Sequence, residues 1–289
     1  MMASPPHPDG RKSIVLVADD YGLAPGVDDS IRTLIAGGKL SGTGCMTLFP
    51  EWPEAAERLK AMPESKGVAI GLHLTLTDFS PLSGAGPLGA GRMPTLSRLI
   101  RASYMDGINV PSLEGELDAQ LEAFASAMGR MPDYIDGHQH VHFLPQVRHW
   151  LTRRRARLVS SGTPWLRGGP STALAEGWAV KVKVAIVALL ARGFEAEMTA
   201  AGFAVKGPLA GFYDWNAPRT FVPAMLALSV KVQDSSVVMC HPGMPDDLLK
   251  SRDRLVAARA VEFEALKRFD GWRIAKAGGG RERSHESRN

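Results

Sequence analysis

Residues 13–22 read SIVLVADDYG. From Ile14 to Ala18 no side chain is polar. A strand with one wet face alternates apolar and polar residues, so this unbroken run predicts a strand buried on both faces, as in a parallel sheet. Asp19 and Asp20 end it, and Gly22 turns the chain. Val27, Ile31, Leu34 and Ile35 then recur at helical spacing up to Ala36, and Gly37-Gly38 stops the helix. Strand, acidic turn, helix is the opening unit of an α/β fold.

Outward from this unit the alternation repeats. The pattern predicts strands over 43–48, 68–75 and 236–240, and helices over 52–62, 113–128, 146–157, 178–192, 195–201, 223–232 and 252–269. Gly- and Pro-rich residues 80–95 read as a long loop placed to cover a site. The stretch YIDGHQHVHFLP at 134–145 predicts a strand over 134–143. If extended, it puts Asp136, His138, His140 and His142 on one face. With no internal repeat and no linker, residues 13–272 are expected to form one domain, a parallel sheet or barrel, with flexible ends at 1–12 and 273–289.

Composition narrows the class. A hydrophobic fraction of 45% and a charged fraction of 22% suit a globular protein with a sizeable core. The net charge of +4 comes from scattered basic residues and the run Arg153-Arg154-Arg155, without the interleaved aromatics of a nucleic-acid reader, so no nucleic-acid partner is expected. Cys45 and Cys240 form neither a disulfide framework nor a CxxC pair. MMASPPHPDGRK lacks the apolar core of a signal peptide, and a cytoplasmic location is expected. The longest apolar stretch, Val184 to Ala191, is too short to span a bilayer and reads as a buried helix.

Acids and imidazoles gather at the predicted strand ends: Asp19 and Asp20, His73, the Asp136 to His142 stretch, and His241. Singly, each reads as a helix cap or a hydrogen-bonded core residue. Together they have one economical cause, a divalent ion held by imidazole and carboxylate. Such an ion lowers the pKa of water toward ~7 and polarises a carbonyl, which suits amide or ester hydrolysis. Of the adjacent acids, one can bind the ion while the other takes a proton, but periodicity does not assign which. His241, on a separate strand, is the natural proton donor to a leaving amine.

The blocks ADDYG (18–22), GLHLTLT (71–77), DGHQHVHFLP (136–145) and CHPG (240–243) resemble the YdjC-like carbohydrate deacetylases, also called the ChbG/HpnK family, with matching order and spacing from about residue 13 to 270. The resemblance implies a single-domain distorted (β/α) barrel of the polysaccharide-deacetylase type. It also implies one divalent ion, Mg2+ or Zn2+, and removal of an N-acetyl group from an amino sugar, an N-acetylated oligosaccharide or a glycolipid. By position it makes Asp20, His73 and His138 the metal ligands, Asp19 the general base and His241 the general acid. Asp136, His140 and His142 are left as groups that either orient the ligands or contact substrate, with His140 expected on the substrate side. Gln139 stands where many members carry histidine, Tyr21 replaces the commoner Phe, and 162–217 matches few motifs, which bears on substrate rather than chemistry. One branch of the family acts on chitin-type disaccharides and another is associated with hopanoid lipids, and no extended apolar surface helix is read here to choose between them. The alternatives are a non-catalytic sugar- or metal-binding protein on the same fold, or a hydrolase of another amide or ester. Homo-oligomerisation is left open.

Overall fold

Strand β1 runs Ser13–Tyr21. In the computed structural model, which describes residues 10–160 and 162–277, both its faces are buried, as its apolar run predicts. Ile14, Leu16 and Ala18 join the larger core cluster, and Val15 and Val17 join a second, smaller one.

The other strands are β2 (Gly42–Cys45), β3 (Ala69–Leu74), β6 (Tyr134–Gly137), β7 (Trp165–Arg167), β8 (Ala204–Lys206), β9 (Leu209–Ala210) and β10 (Val237–Cys240), all paired in parallel in the order β8-β7-β6-β3-β2-β1-β10-β9. The two ends of this path, β8 and β9, are separated only by Gly207 and Pro208, so the sheet comes round to itself and nearly closes into an eight-stranded α/β barrel. A two-residue hairpin, β4 (Ala85–Gly86) with β5 (Gly89–Ala90), sits in the 80–95 loop, and β11 (Arg273–Ile274) pairs with β1. Residues 1–9 and 278–289 of the two ends read as flexible lie outside the described residues.

The helices are α1 (Pro25–Ala36), α2 (Trp52–Ala61), α3 (Leu96–Tyr104), α4 (Val110–Met128), α5 (Pro145–Arg153), α6 (Arg155–Leu158), α7 (Trp178–Leu190), α8 (Phe194–Ala200), α9 (Phe221–Lys231), α10 (Asp247–Arg252) and α11 (Val256–Leu266). Most match the apolar periodicity. In α1, Val27, Ile31, Leu34 and Ile35 are buried, each contributing about 1.5–3 kcal/mol of burial. The expected helix over 252–269 is shorter, α11 alone, because Arg252 ends α10 and the chain is extended at Asp253.

Two further expectations need correction. The histidine strand ends at Gly137: residues 138–143 form a tight 3₁₀-like turn in which Gln139 and His140 take left-handed conformations (φ 51° and 63°). Strand alternation therefore does not aim His140 and His142. The apolar helix α7 is not buried: it sinks only Val180 and Val184, so the surface does carry an apolar helix. The 80–95 loop is tied down against α4, where the buried Glu116 carboxylate accepts hydrogen bonds from the Leu82 and Ser83 backbone N–H groups at 3.0 and 2.7 Å.

Strand parity positions the site. Val15 and Val17 lead to Asp19, Ala69 to His73, Tyr134 to Asp136, Trp165 to Arg167, and Val237 and Met239 to His241. All these apolar residues belong to the second core cluster, so the polar group two or four residues on lies on that same face, at the carboxyl end of each strand. Gly71, between Ala69 and His73, is required by packing: a Cβ there would lie 2.4 Å from the Tyr134 ring, which stacks on Trp165 at 4.4 Å between centroids. No described helix is long and apolar enough to cross a membrane.

Candidate active site

Alternation would send Asp19 and Asp20 to opposite faces. The pairing register of β1 with β2 shifts between Ala18 and Tyr21, and Asp20 takes φ 71°, so the kink turns Asp20 back toward the site. Both acids are buried there.

Their partners differ. Asp19 accepts two parallel hydrogen bonds from Arg167, Nη1 to Oδ2 at 2.7 Å and Nη2 to Oδ1 at 2.5 Å, and Oδ2 also lies 3.7 Å from His241 Nε2. Asp20 gives only Oδ2 to a guanidinium, that of Arg259 at 2.5 Å. Its Oδ1 lies 3.2 Å from both His73 Nε2 and His138 Nδ1.

Behind His73, Nδ1 meets Asp136 Oδ1 at 2.6 Å, since β3 and β6 pair His73 directly with Asp136. Asp136 Oδ2 in turn forms an ion pair with Arg167. Asp136 thus fixes which imidazole nitrogen faces Asp20, the arrangement that orients a metal-binding histidine. The ligand atoms of Asp20, His73 and His138 all lie within 4.8 Å of one another. A second acid and imidazole group, Asp19, His73 and Asp136, is as tight, but the Arg167 guanidinium already lies between its two carboxylates as their cation.

Charge explains what the first group lacks. Asp19, Asp20 and Asp136 bring three buried carboxylates against two buried guanidiniums, Arg167 and Arg259. Burial opposes ionisation of Asp19, yet Arg167 holds its carboxyl down at about 2. Burial likewise opposes ionisation of Asp20, and Arg259 and His138 hold it well below the carboxylate range. Burial disfavours protonated His73, but Asp136 and Asp19 raise it to about 10. The constellation calls for one more positive charge at His73, which a proton supplies in the ion-free chain and a divalent ion can supply instead.

The remaining groups form the walls. His140 lies 5.4 Å from Phe212 between ring centroids, and burial together with Arg167 pushes it down to about 3, so it stays neutral. His142 faces away, with Nε2 3.2 Å from the Arg167 carbonyl oxygen and its ring against Phe143 and Phe194. Just before the 80–95 loop, Phe79 tilts against His138 at 6.1 Å and Asp78 accepts a hydrogen bond from Gln139. Trp215 meets His241 edge-on at 5.5 Å. Glu262 accepts the His241 backbone N–H at 2.5 Å and the Tyr213 hydroxyl at 2.6 Å.

The structure thus gathers Asp19, Asp20, His73, His138 and His241 at one end of the barrel, with His140 on its wall. Arg167, Arg259 and Glu262 were not foreseen. Arg167 ends a three-residue strand too short to show periodicity. Arg259 and Glu262 did carry a signal: they share the buried side of α11 with Ala258, Phe263 and Leu266, where a charge needs a buried partner.

A family model described as the YdjC-like protein matches residues 13–269. The chain belongs to the YdjC-like family. Among its relatives, a chitooligosaccharide deacetylase of Yersinia enterocolitica is 32% identical over 137 residues, covering 47% of this chain and 53% of that protein. A human carbohydrate deacetylase is 31% identical over 148 residues, covering 47% of this chain and 43% of that protein. The chain thus spans about half the length of the relatives it matches. A crystal structure from Enterococcus faecalis, described as that of a cellobiose-phosphate cleavage protein, superposes with a TM-score of 0.66 over 92% of this chain and 98% of its own, at 21% identity, and shares the fold.

Proposed function

We propose that this family member removes the N-acetyl group from an amino sugar or N-acetylated oligosaccharide with the help of one divalent ion. The observation that carries the reading is the unequal engagement of Asp19 and Asp20. Asp20 keeps one oxygen directed at two imidazoles, while both oxygens of Asp19 lie on a guanidinium and one faces His241. The names of the Yersinia and human relatives support the same chemistry.

Asp20, His73 and His138 fit a divalent ion. Two imidazole nitrogens and one carboxylate oxygen favour Zn2+ or another first-row ion over Mg2+, which prefers an all-oxygen shell. When bound, the ion polarises the acetamide carbonyl and acidifies water. Arg167 keeps Asp19 ionised, so Asp19 is ready to accept a proton from the attacking water, and its bidentate grip fixes where that oxygen points. As the C–N bond breaks, His241, whose Nε2 lies 3.7 Å from Asp19 Oδ2, donates a proton to the departing amine.

A sugar suits the walls. Phe79, Phe212 and Trp215 border the site and offer apolar faces to a pyranose ring. Among the described residues, Gln139 Oε1, His140 Nδ1, Trp215 Nε1 and His241 Nδ1 are buried polar atoms without a partner in the chain, a set that sugar hydroxyls and the acetamide can satisfy. The test is acetate release from N-acetylglucosamine oligomers and N-acetylglucosaminyl lipids by metal-loaded protein, with Asp19→Asn alongside. Release that falls by roughly 10²–10⁴ in the variant supports the reading. Turnover within a few-fold of wild type would remove Asp19 as the base, and no release from any substrate would remove the deacetylase.

A further inference from the structure

An all-round apolar helix is normally buried in a core or in lipid. Helix α7 (WAVKVKVAIVALL) packs on the core through Val180, Val184, Val187 and Leu190 but leaves an apolar outer side: Trp178 is 82% exposed, Leu189 68% and Ile186 53%, with Val182 also exposed, along one stripe at helical spacing. Helix α9 repeats the pattern, with Val222, Leu226 and Val230 exposed four residues apart while Phe221, Met225 and Leu228 hold the core. An ion pair between Glu176, just before α7, and Lys231, the last residue of α9, brings the start of one helix to the end of the other. A hollow of about 880 Å³, lined by small residues including Gly169, Ala188, Ala191 and Ala196, separates the end of α7 from α8.

Within the two helices and the turns that flank them the unpaired charge is positive, although Glu176 pairs with Lys231 at the edge of the face and Glu195 follows α7. From 177 to 194 the only ionisable residues are Lys181, Lys183 and Arg192, and from 215 to 233 only Arg219 and Lys231; neither segment has a carboxylate. We propose that α7 and α9 form a face that docks on an anionic lipid bilayer. Thirteen residues span about 20 Å, short of the ~30 Å hydrocarbon core, so α7 lies in the interface rather than across it. Exposed Trp178 beside Lys181 and Lys183 is the pairing of aromatic and basic anchors that sits at headgroup level. The face also adjoins the site: the Lys183 ammonium lies over the Trp215 ring at 6.0 Å, and Trp215 meets His241. The docking face is independent of the deacetylase reading, and its test reads binding rather than turnover.

The test is flotation of the full chain with vesicles of phosphatidylcholine alone and of equal parts phosphatidylcholine and phosphatidylglycerol, at low and high salt, with light scattering of the free protein. The chain is expected to float with the anionic vesicles at low salt and to be released by high salt. Trp178→Glu and Leu189→Glu, both at exposed positions and checked for fold by circular dichroism, should abolish flotation, and Lys181→Gln should weaken it about fivefold. No flotation at low salt, or equal flotation of every variant, would overturn the proposal. So would a wild-type dimer that Trp178→Glu converts to monomers, which would give the face to a second copy.

Discussion

Asp19 and Asp20 are chain neighbours, are both buried, and are each held by an arginine from a remote part of the sequence, Arg167 and Arg259. The difference lies in how many carboxylate oxygens the arginine occupies. Arg167 takes both oxygens of Asp19 and leaves its proton chemistry to the side of His241. Arg259 takes one oxygen of Asp20 and leaves the other between His73 and His138. Residue type alone would not separate two aspartates; the number of free oxygens does, and on it rests our proposal of the ion for one and the proton for the other.

The comparison can be broken from the Asp19 side first. His241→Gln is expected to lower turnover by roughly 10²–10⁴ while leaving divalent-ion content unchanged, as measured by acetate release and metal analysis of the same preparation. Loss of the ion in that variant would merge the two halves of the site that the geometry keeps apart.

The arginines come next. Arg167→Met leaves Asp19 and Asp136 buried without their shared cation, and should destabilise the fold by about 3–5 kcal/mol in urea unfolding. With Arg167 gone, burial acts on Asp19 unopposed by its main partner. Its carboxyl rises from about 2, and the acid limb of the pH–rate profile moves to higher pH. Arg259→Met should cost less, because Asp253, its other partner, is partly exposed and can rehydrate, and it should leave the acid limb in place. Equal stability losses with equal shifts of the limb would erase the distinction.

A smaller effect sharpens the turn that separates the two acids from α1. Asp28 accepts the Gly22 N–H at 2.6 Å, and burial raises its carboxyl to about 7 despite that bond and nearby Arg32. Between an unfolded value near ~4 and the folded value, the folded state holds a proton that the unfolded state has released. The stability tied to Asp28 is therefore fully present below about pH 4 and is lost as pH rises through 7. Asp28→Asn keeps an acceptor for Gly22 and cannot ionise. The wild-type minus variant difference in unfolding free energy should change by about 4 kcal/mol across that window, and a flat difference would remove the strain from this carboxylate.

Much of this was legible in the sequence where the chain states its period clearly. The continuous apolar run of β1, the buried faces of α1 and α4, and the acids and histidines at strand ends all read correctly, because burial on both faces and helical spacing leave unambiguous patterns. The reading failed where local conformation overrides period. Left-handed Gln139 and His140 ended the expected histidine strand at Gly137, and the kink at Asp20 was invisible to alternation. It also failed where elements are too short to have a period, as in β7, β8 and β9, which hid Arg167. Helix α7 misled in the other direction: an apolar stretch reports affinity for an apolar environment, and the inference that this must be the protein's own core was one step too many.

The division between the two aspartates is tested most directly by titrating a divalent ion such as Zn2+ into ion-stripped Asp19→Asn and Asp20→Asn by calorimetry. Asp19→Asn is expected to bind it with near wild-type affinity, and Asp20→Asn to lose at least roughly 100-fold. Retained affinity in Asp20→Asn with loss in Asp19→Asn would contradict the account.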